Sequence, residues 1–561
     1  MKKIKILIIG LLLTGVPFAC DDFGDMNTNP NLPNNKADYN FQEAALGSIF
    51  RSSVPAIEGD DEQRVKSLMV DFYSQMLDGG NFATRYYQMD QDWSSRMFRR
   101  VQTGIANMNL VLRGLEESDP ETIANAKAVA MIWRVWVAAV GVDWFGPIPF
   151  ASYEGEVVNN PPYRSAEDIY TEFFEELAKA NTILSAENTN PIFRNNRYDI
   201  LFQNDKEKWR RFCNSLHLRL AMRLTEVNEN LAKAEAIKAI EAGVMESAAN
   251  NAKLPTANGG WGQDYNYTMF QISWGGPLNM TKSMEKLLTG IGGIDFPTDL
   301  KNKRSNVALA DHPAKVDPRG PVMFDPAFQT GDWKGRPDGL NITNHPELST
   351  ADYESVDFSE VGFLYNGGTP YVNRPYDLFL YEEVLFLQAE AALREYTEGD
   401  AKALYEAGVR ASFSTWGVSD QADAYLASTA TNEAGTSANF DDNTGDMAPD
   451  GSDGNTVLEK IITQKYLALF PDMSQEAWND KRRLNLPRTE VAMDRYTAIW
   501  PNQSTDVKDP ANYIKRVQYP NNEAQINESE YNKGVTLLGG PDVVNTRIWW
   551  DTGKNYVTSP E

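Results

Sequence analysis

Between Trp261 and Trp274 the chain sets Trp261, Tyr265, Tyr267 and Trp274 among Gln263, Asp264 and Asn266. Flat rings beside amides and a carboxylate suit a ligand with apolar C–H faces and a hydroxyl rim, which describes a sugar. The rings offer stacking area, and the polar side chains fix orientation by hydrogen bonds. The stretch from Asn81 to Trp93 has the same texture, with Tyr86, Tyr87, Asp92 and Trp93. The competing role for any of these rings is to form the interior of the surrounding loops. Trp261, Asp264, Tyr265, Tyr267, Trp274, Tyr86 and Trp93 are therefore the candidate ligand-binding residues.

Catalytic material is scarce by comparison. The chain has no Gly-x-Ser-x-Gly elbow, no His-Glu-x-x-His helix and no Gly-x-x-x-x-Gly-Lys-Ser/Thr phosphate loop. Of its three histidines, His217 falls inside a helical pattern, and His312 and His345 each precede proline. A histidine triad or a multi-histidine metal site has almost nothing to draw on. A glycosidase needs only two carboxylates about 5–10 Å apart, and 78 acidic residues leave that pair open without pointing to it. Asp441-Asp442-Asn443-Thr444-Gly445-Asp446 starts like a calcium loop but lacks its glycine register and closing glutamate, so it reads as a solvated acidic loop. No metal and no cofactor are expected. The net charge of −25 repels phosphate backbones and excludes nucleic acid as the natural partner.

These residues need a scaffold, and the patterning supplies helices. Three- and four-residue spacing of apolar side chains predicts helices from Asp38, over 63–77, 95–115 and 121–142, from Ser165, from Lys206, over 281–288, 376–396 and 401–413. The segment 121–142 is apolar almost all round and should be buried. It ends at Asp143-Trp144-Phe145-Gly146-Pro147, read as a rigid, aromatic-packed helix terminus. Residues 249–370 are rich in Gly, Asn, Asp, Pro and aromatics. A stretch this long cannot stay structureless in a compact domain, so it is expected to pack on the helical body as a loop-rich, ligand-binding subdomain. Cys213 lies in an apolar helical context and reads as a buried thiol.

The N-terminus reads as an export signal. A basic Met1–Lys5 precedes the apolar Ile6–Val16, which is too short to span a bilayer as a permanent helix, and Ala19-Cys20 follows. This resembles the lipobox of a bacterial lipoprotein, with Pro17 where an aliphatic residue is usual, and implies lipidation of Cys20. Cys20 and Cys213 are the chain's cysteines, so a lipidated Cys20 leaves no internal disulfide.

Further motifs follow in order. They are Asn27-x-Asn29-Pro30-Asn31, the helix Trp209-Arg210-Arg211-Phe212-Cys213-Asn214-Ser215-Leu216-His217-Leu218-Arg219-Leu220-Ala221-Met222-Arg223, and Asp317-Pro318-Arg319. After these come Trp333-Lys334-Gly335-x-x-x-Gly339, Glu383 to Ala392, Glu476-Ala477-Trp478-x-Asp480-x-Arg482-Arg483 and Trp549-Trp550-Asp551. Together they resemble the SusD/RagB-like outer-membrane lipoproteins of Bacteroidetes. That resemblance implies a mostly α fold, a tetratricopeptide-like α-solenoid of helix hairpins with a large loop-rich insertion packed on it. It divides the chain into a signal peptide (1–19), a lipid-anchored tether (20–37), an N-terminal helical part (38–248), the loop-rich subdomain (249–370) and a C-terminal helical part of the same domain (371–561). It also implies a surface-exposed, non-catalytic protein that captures oligosaccharide, with peptide as the second ligand class. The cargo would pass to a SusC-like TonB-dependent transporter. A surface glycoside hydrolase is the alternative from a different class, and a structural envelope lipoprotein is the third.

The anchor is directly testable. Cys20→Ala should move the protein from the membrane fraction to soluble material, and wild type should incorporate radiolabelled lipid. Unchanged membrane association without lipid incorporation would refute the anchor.

Overall fold

Several of the helices begin where short polar side chains can take up the first free amides. The computed structural model describes residues 39–54, 61–116, 120–154, 157–158, 160–255, 277–350, 353–363, 365–366, 369–370, 374–442, 445–447 and 454–557. Its principal helices are α1 (Tyr39–Ser52), α2 (Gln91–Glu116), α3 (Pro120–Phe145), α4 (Ala166–Ser185), α5 (Lys206–Arg223), α6 (Glu229–Ala242), α7 (Lys282–Leu288), α8 (Tyr381–Leu393), α9 (Ala401–Thr415), α10 (Val457–Leu469), α11 (Ser474–Leu484) and α12 (Glu528–Leu538). Side-chain oxygens of Ser165, Asp205, Asn228, Thr281, Asp400 and Thr456 accept first-turn amides of α4, α5, α6, α7, α9 and α10.

From α2 to α6, consecutive helices pack on one another, as do α8 and α9; α8 also contacts α5 and α10. The architecture is thus mostly α and built from helix hairpins, as the motif series implied. Helix α3 is long and apolar enough to cross a membrane over Ile123–Phe145, yet 89% of that stretch is buried inside the protein, which makes it a core helix.

Two elements differ from the periodicity reading. The segment 63–77 is not one regular helix: Glu62–Val70 is π-helical and Asp71–Ser74 α-helical, with Gln75 left-handed at φ 59°. Tyr376–Phe379, assigned above to a helix, is a strand that pairs antiparallel with Ala252–Leu254. It is buried along its whole length, so it shows neither clean alternation nor a helical stripe.

The short strands fix the loops. β1 (Leu77–Asp78), β2 (Asn279–Met280), β3 (Phe324–Asp325) and β4 (Glu360–Val361) form an antiparallel sheet in the order β1-β2-β4-β3. Leu77 faces Met280 and Asp78 faces Asn279. The chain leaving β1 and the chain entering β2 therefore attach at the same end of the pair.

The core carries a buried network of charges. Arg219 of α5 makes a bidentate pair with Glu383 of α8, at 2.8 and 2.7 Å. Arg223, one turn on, pairs with Glu476 of α11 and stands 3.6 Å from Asp143 at the end of α3. Arg483 joins Glu390 of α8, at 2.6 and 2.8 Å, to Asp480, which also holds Lys465 of α10 at 2.8 Å. Asp143 accepts from Tyr170, Asn479 and Trp550. The turn after α3 is thus a structural terminus, with Gly146 at φ 80°. Cys213 is fully buried, and His217 bonds Glu235 at 2.8 Å while stacking on Phe174.

Removing one partner strands the other in low dielectric, at a cost of about 3–5 kcal/mol. Arg483→Met should therefore lower unfolding free energy by about that amount in guanidinium titrations. Burial pushes the Asp480 carboxyl up, but Lys465, Arg483 and Arg223 outweigh it and hold the group well below the usual range. Its stabilisation is fully present above about pH 4, the unfolded value, and fades as pH falls towards the folded one. Stability of Asp480→Asn should accordingly fall less steeply than wild type below pH 4.

Candidate functional site

The sequence-predicted residues divide. Trp261, Asp264, Tyr265, Tyr267 and Trp274 lie outside the described residues, as do Cys20 and residues 20–37. Pro277 and Leu278, which lead into β2, sit at the end of the strand pair from which the chain leaves β1 towards Asn81 and Tyr86. The register thus sets the start of β2 beside the chain that leaves β1.

Trp93 and Tyr86 part company. Trp93 lies in the first turn of α2, 9% exposed, with its ring 5.3 Å from that of Phe82. It is a packing residue. Tyr86 ends a short 3₁₀ turn, Ala83–Tyr86, and is half-buried. With Asn81, Phe82 and Arg85 it forms one side of a cleft of about 290 Å³; Leu340, Asn341, Ile342 and Thr343 form the other. The volume approaches the lower end for small-molecule sites, about 300 Å³.

Among the described residues, three further cavities suit a sugar less well. An apolar space of about 80 Å³ beside Trp136 and Met473 is too small for a sugar ring. The cleft at Glu172 and Lys179 is lined mainly by charged side chains, and the groove at Leu110, Val157 and Val158 has no aromatic ring among the described residues.

The cleft is rigid underneath. Arg85 donates to Asp78 at 2.7 Å and to the Leu340 carbonyl at 3.0 Å, which ties the two walls together. Arg336 is 3% exposed and bridges through its backbone to Met280 at 2.8 Å and Lys282 at 2.7 Å. Its Nη2 donates to Asn81 Oδ1 at 2.8 Å, and its Nη1 stands 3.7 Å from Asp78. Burial, helped by Arg85, lowers the Arg336 pKa to about 9, so it stays charged at neutral pH. Asp338 accepts from the Ser283 amide and hydroxyl at 3.0 Å each; burial, with Glu490 adding, pushes its carboxyl up to about 8.

A third segment, unmarked by the sequence, borders the site. The Tyr496 amide donates to the Tyr86 carbonyl and the Met493 amide to that of Asp338, both at 2.8 Å. Met493 and Tyr496 are 43% and 37% exposed, among the few large apolar side chains so placed. Asp494 between them accepts from the Asn341 amide at 2.7 Å, Asn344 Nδ2 at 2.9 Å and His345 Nε2 at 3.0 Å. Asn81, Asn341, Thr343, Met493 and Tyr496 escaped sequence reasoning. The signal available was Trp333-Lys334-Gly335-x-x-x-Gly339, which marks the wall but not its rim.

The arrangement offers stacking area and hydrogen bonds. Among the described residues, no cluster of His, Cys, Asp and Glu could hold a metal ion.

A protein-family model described as "SusD-like: Susd and RagB outer membrane lipoprotein" matches residues 25–293 and 316–551. Of solved structures, a SusD homologue of Parabacteroides distasonis ATCC 8503 is 50% identical, with a TM-score of 0.88 over 93% of this chain and 100% of that one. A chitin-binding SusD homologue of Flavobacterium johnsoniae is 25% identical, with a TM-score of 0.69 over 92% and 100%. A SusD homologue of Bacteroides vulgatus ATCC 8482, at 23% identity and TM-score 0.71 over 92% and 99%, shares the fold. No curated protein matches the chain.

His345 gives the Asn341–Thr343 wall a pH dependence. Burial lowers its pKa, but hydrogen bonds to Glu347 and Asp494 outweigh this and raise it. A raised histidine stabilises fully below its unfolded value of about 6.5 and loses that contribution as pH climbs through the folded one. Amide exchange in 341–348, corrected for intrinsic rates, should show less protection at pH 8.5 than at pH 6. His345→Gln should flatten the difference.

Proposed function

The chain belongs to the SusD-like family of outer-membrane lipoproteins, and from that premise we propose that it is a surface nutrient-binding lipoprotein. It captures oligosaccharide and delivers it to a SusC-like TonB-dependent transporter. The observation that carries this reading is the half-buried Tyr86 ring in a cleft with Asn81, Asn341 and Thr343. That is the pairing of stacking face and hydrogen-bonding rim that a sugar requires. The chitin-binding relative supports a glycan over a peptide as ligand class. Trp261, Asp264, Tyr265, Tyr267 and Trp274 remain part of the proposal for their mix of rings, amide neighbours and carboxylate. The protein acts by binding; hydrolysis is the rival activity, and turnover of a bound glycan by purified protein would establish it. Lipidated Cys20 holds it at the outer membrane, and the barrel partner would sit beside it there.

Stacking on an exposed ring contributes on the order of 1–3 kcal/mol, tenfold or more in affinity. Wild type should bind members of an oligosaccharide panel saturably in calorimetry, and Tyr86→Ala should weaken the best of them at least tenfold with a near wild-type melt. Mild detergent extraction should co-purify a large β-barrel. Absence of saturable binding across the panel, with repeated recovery of the protein alone, would refute the proposal.

A further inference from the structure

The polar atoms that the cleft presents are unevenly supplied. Asn81 Oδ1 is taken by Arg336, and Asn341 Oδ1 by the Thr343 amide and hydroxyl, at 3.3 and 2.7 Å. These donors fix both amide orientations, because a guanidinium or a backbone N–H can meet only the amide oxygen. Both Nδ2 groups are left without a partner among the described residues, and they stand at the cleft as donors.

Charge is uneven in the same sense. Arg85 and Arg336 face a single carboxylate, Asp78, and Arg336 Nη1 is buried without a hydrogen-bond partner. The other acids nearby do not restore the balance. Asp338 holds its proton near neutrality, Glu490 pairs with Lys286, and Asp494 is engaged by His345, Asn344 and the Asn341 amide. The chain as a whole carries −25, yet distant surface charge is screened within about 8 Å at physiological salt, whereas buried charge is screened much less. A carboxylate offers several acceptor lone pairs and no donor when ionised, which complements amide N–H groups over a net positive floor.

We propose that the cleft selects acidic oligosaccharides, chains that carry uronate carboxylates, through the Asn81 and Asn341 amide donors backed by the buried Arg336. This rests on the glycan-capture reading above and narrows its ligand class. Asn81 acts at the rim, and Arg336 is a positioning residue that acts through it.

The test is calorimetry with oligogalacturonate, oligoglucuronate and oligoalginate, each paired with its carboxyl-reduced counterpart, and with chitohexaose as a neutral reference. At least one acidic oligomer should bind tenfold or more tighter than its reduced form. Asn81→Asp should erase that preference, because the new carboxylate pairs with Arg336 and replaces the donor. Arg336→Gln should shrink it as well; should that buried substitution disturb folding, the exposed Asn81 variant keeps the test decisive. Equal or weaker binding of all three acidic oligomers, or a preference untouched in Asn81→Asp, would overturn the proposal. Saturable binding of chitohexaose or a reduced oligomer alone would do so while leaving glycan capture intact. Binding of no oligosaccharide would remove both.

Discussion

The structure depends on a buried set of opposite charges that must all be satisfied at once. Arg219, Arg223, Glu383, Glu390, Lys465, Glu476, Asp480 and Arg483 are buried and come from α5, α8, α10 and α11. Each ion would cost several kcal/mol to desolvate alone, so the helices are stable only in the arrangement that pairs them. Apolar packing would tolerate small slips between helices, whereas a bidentate Arg219–Glu383 pair tolerates little. The network therefore restricts how far these helices can slide past one another. It also explains why the recognisable stretches recur in α5, α8 and α11. Their charged positions are one another's partners across up to 253 residues of sequence.

The same logic carries outward to the cleft. Gly335 and Gly339 flank Arg336 for steric reasons: a Cβ at Gly335 would fall 2.3 Å from the Thr281 carbonyl, and Gly339 has φ +65° against Ala492 and the Arg85 carbonyl. The wall can then lie close enough to the sheet for Arg336 to reach Asn81 and for Arg85 to reach Leu340. The helical body provides the fixed edge, and the loops hang from it by buried arginines.

Much of this could be read from the residues. Period and caps place the helices, and Ser165 and Thr281 cap where the sequence predicts. Other features answer to partners outside the segment being read. Tyr376–Phe379 is a strand because Ala252–Leu254 lies beside it, and nothing local says so. Trp93 shares the composition of a ligand platform, yet it turns into the core because the first turn of α2 leaves its ring against Phe82. Composition cannot tell a stacking ring from a packing ring; only the neighbour on its face can.

The rim residues show the deeper limit. Asn341 and Thr343 sit in a polar loop of ordinary composition, and their interest arises only from where other donors land. Once Thr343 occupies Asn341 Oδ1 and Arg336 occupies Asn81 Oδ1, two otherwise ambivalent amides become donors towards the cleft. An amide in sequence is both donor and acceptor, and the fold decides which half a ligand meets. In the proposed reading, specificity thus lies in the second partner of each polar group: Thr343, a local turn partner of Asn341, and Arg336, 255 residues from Asn81.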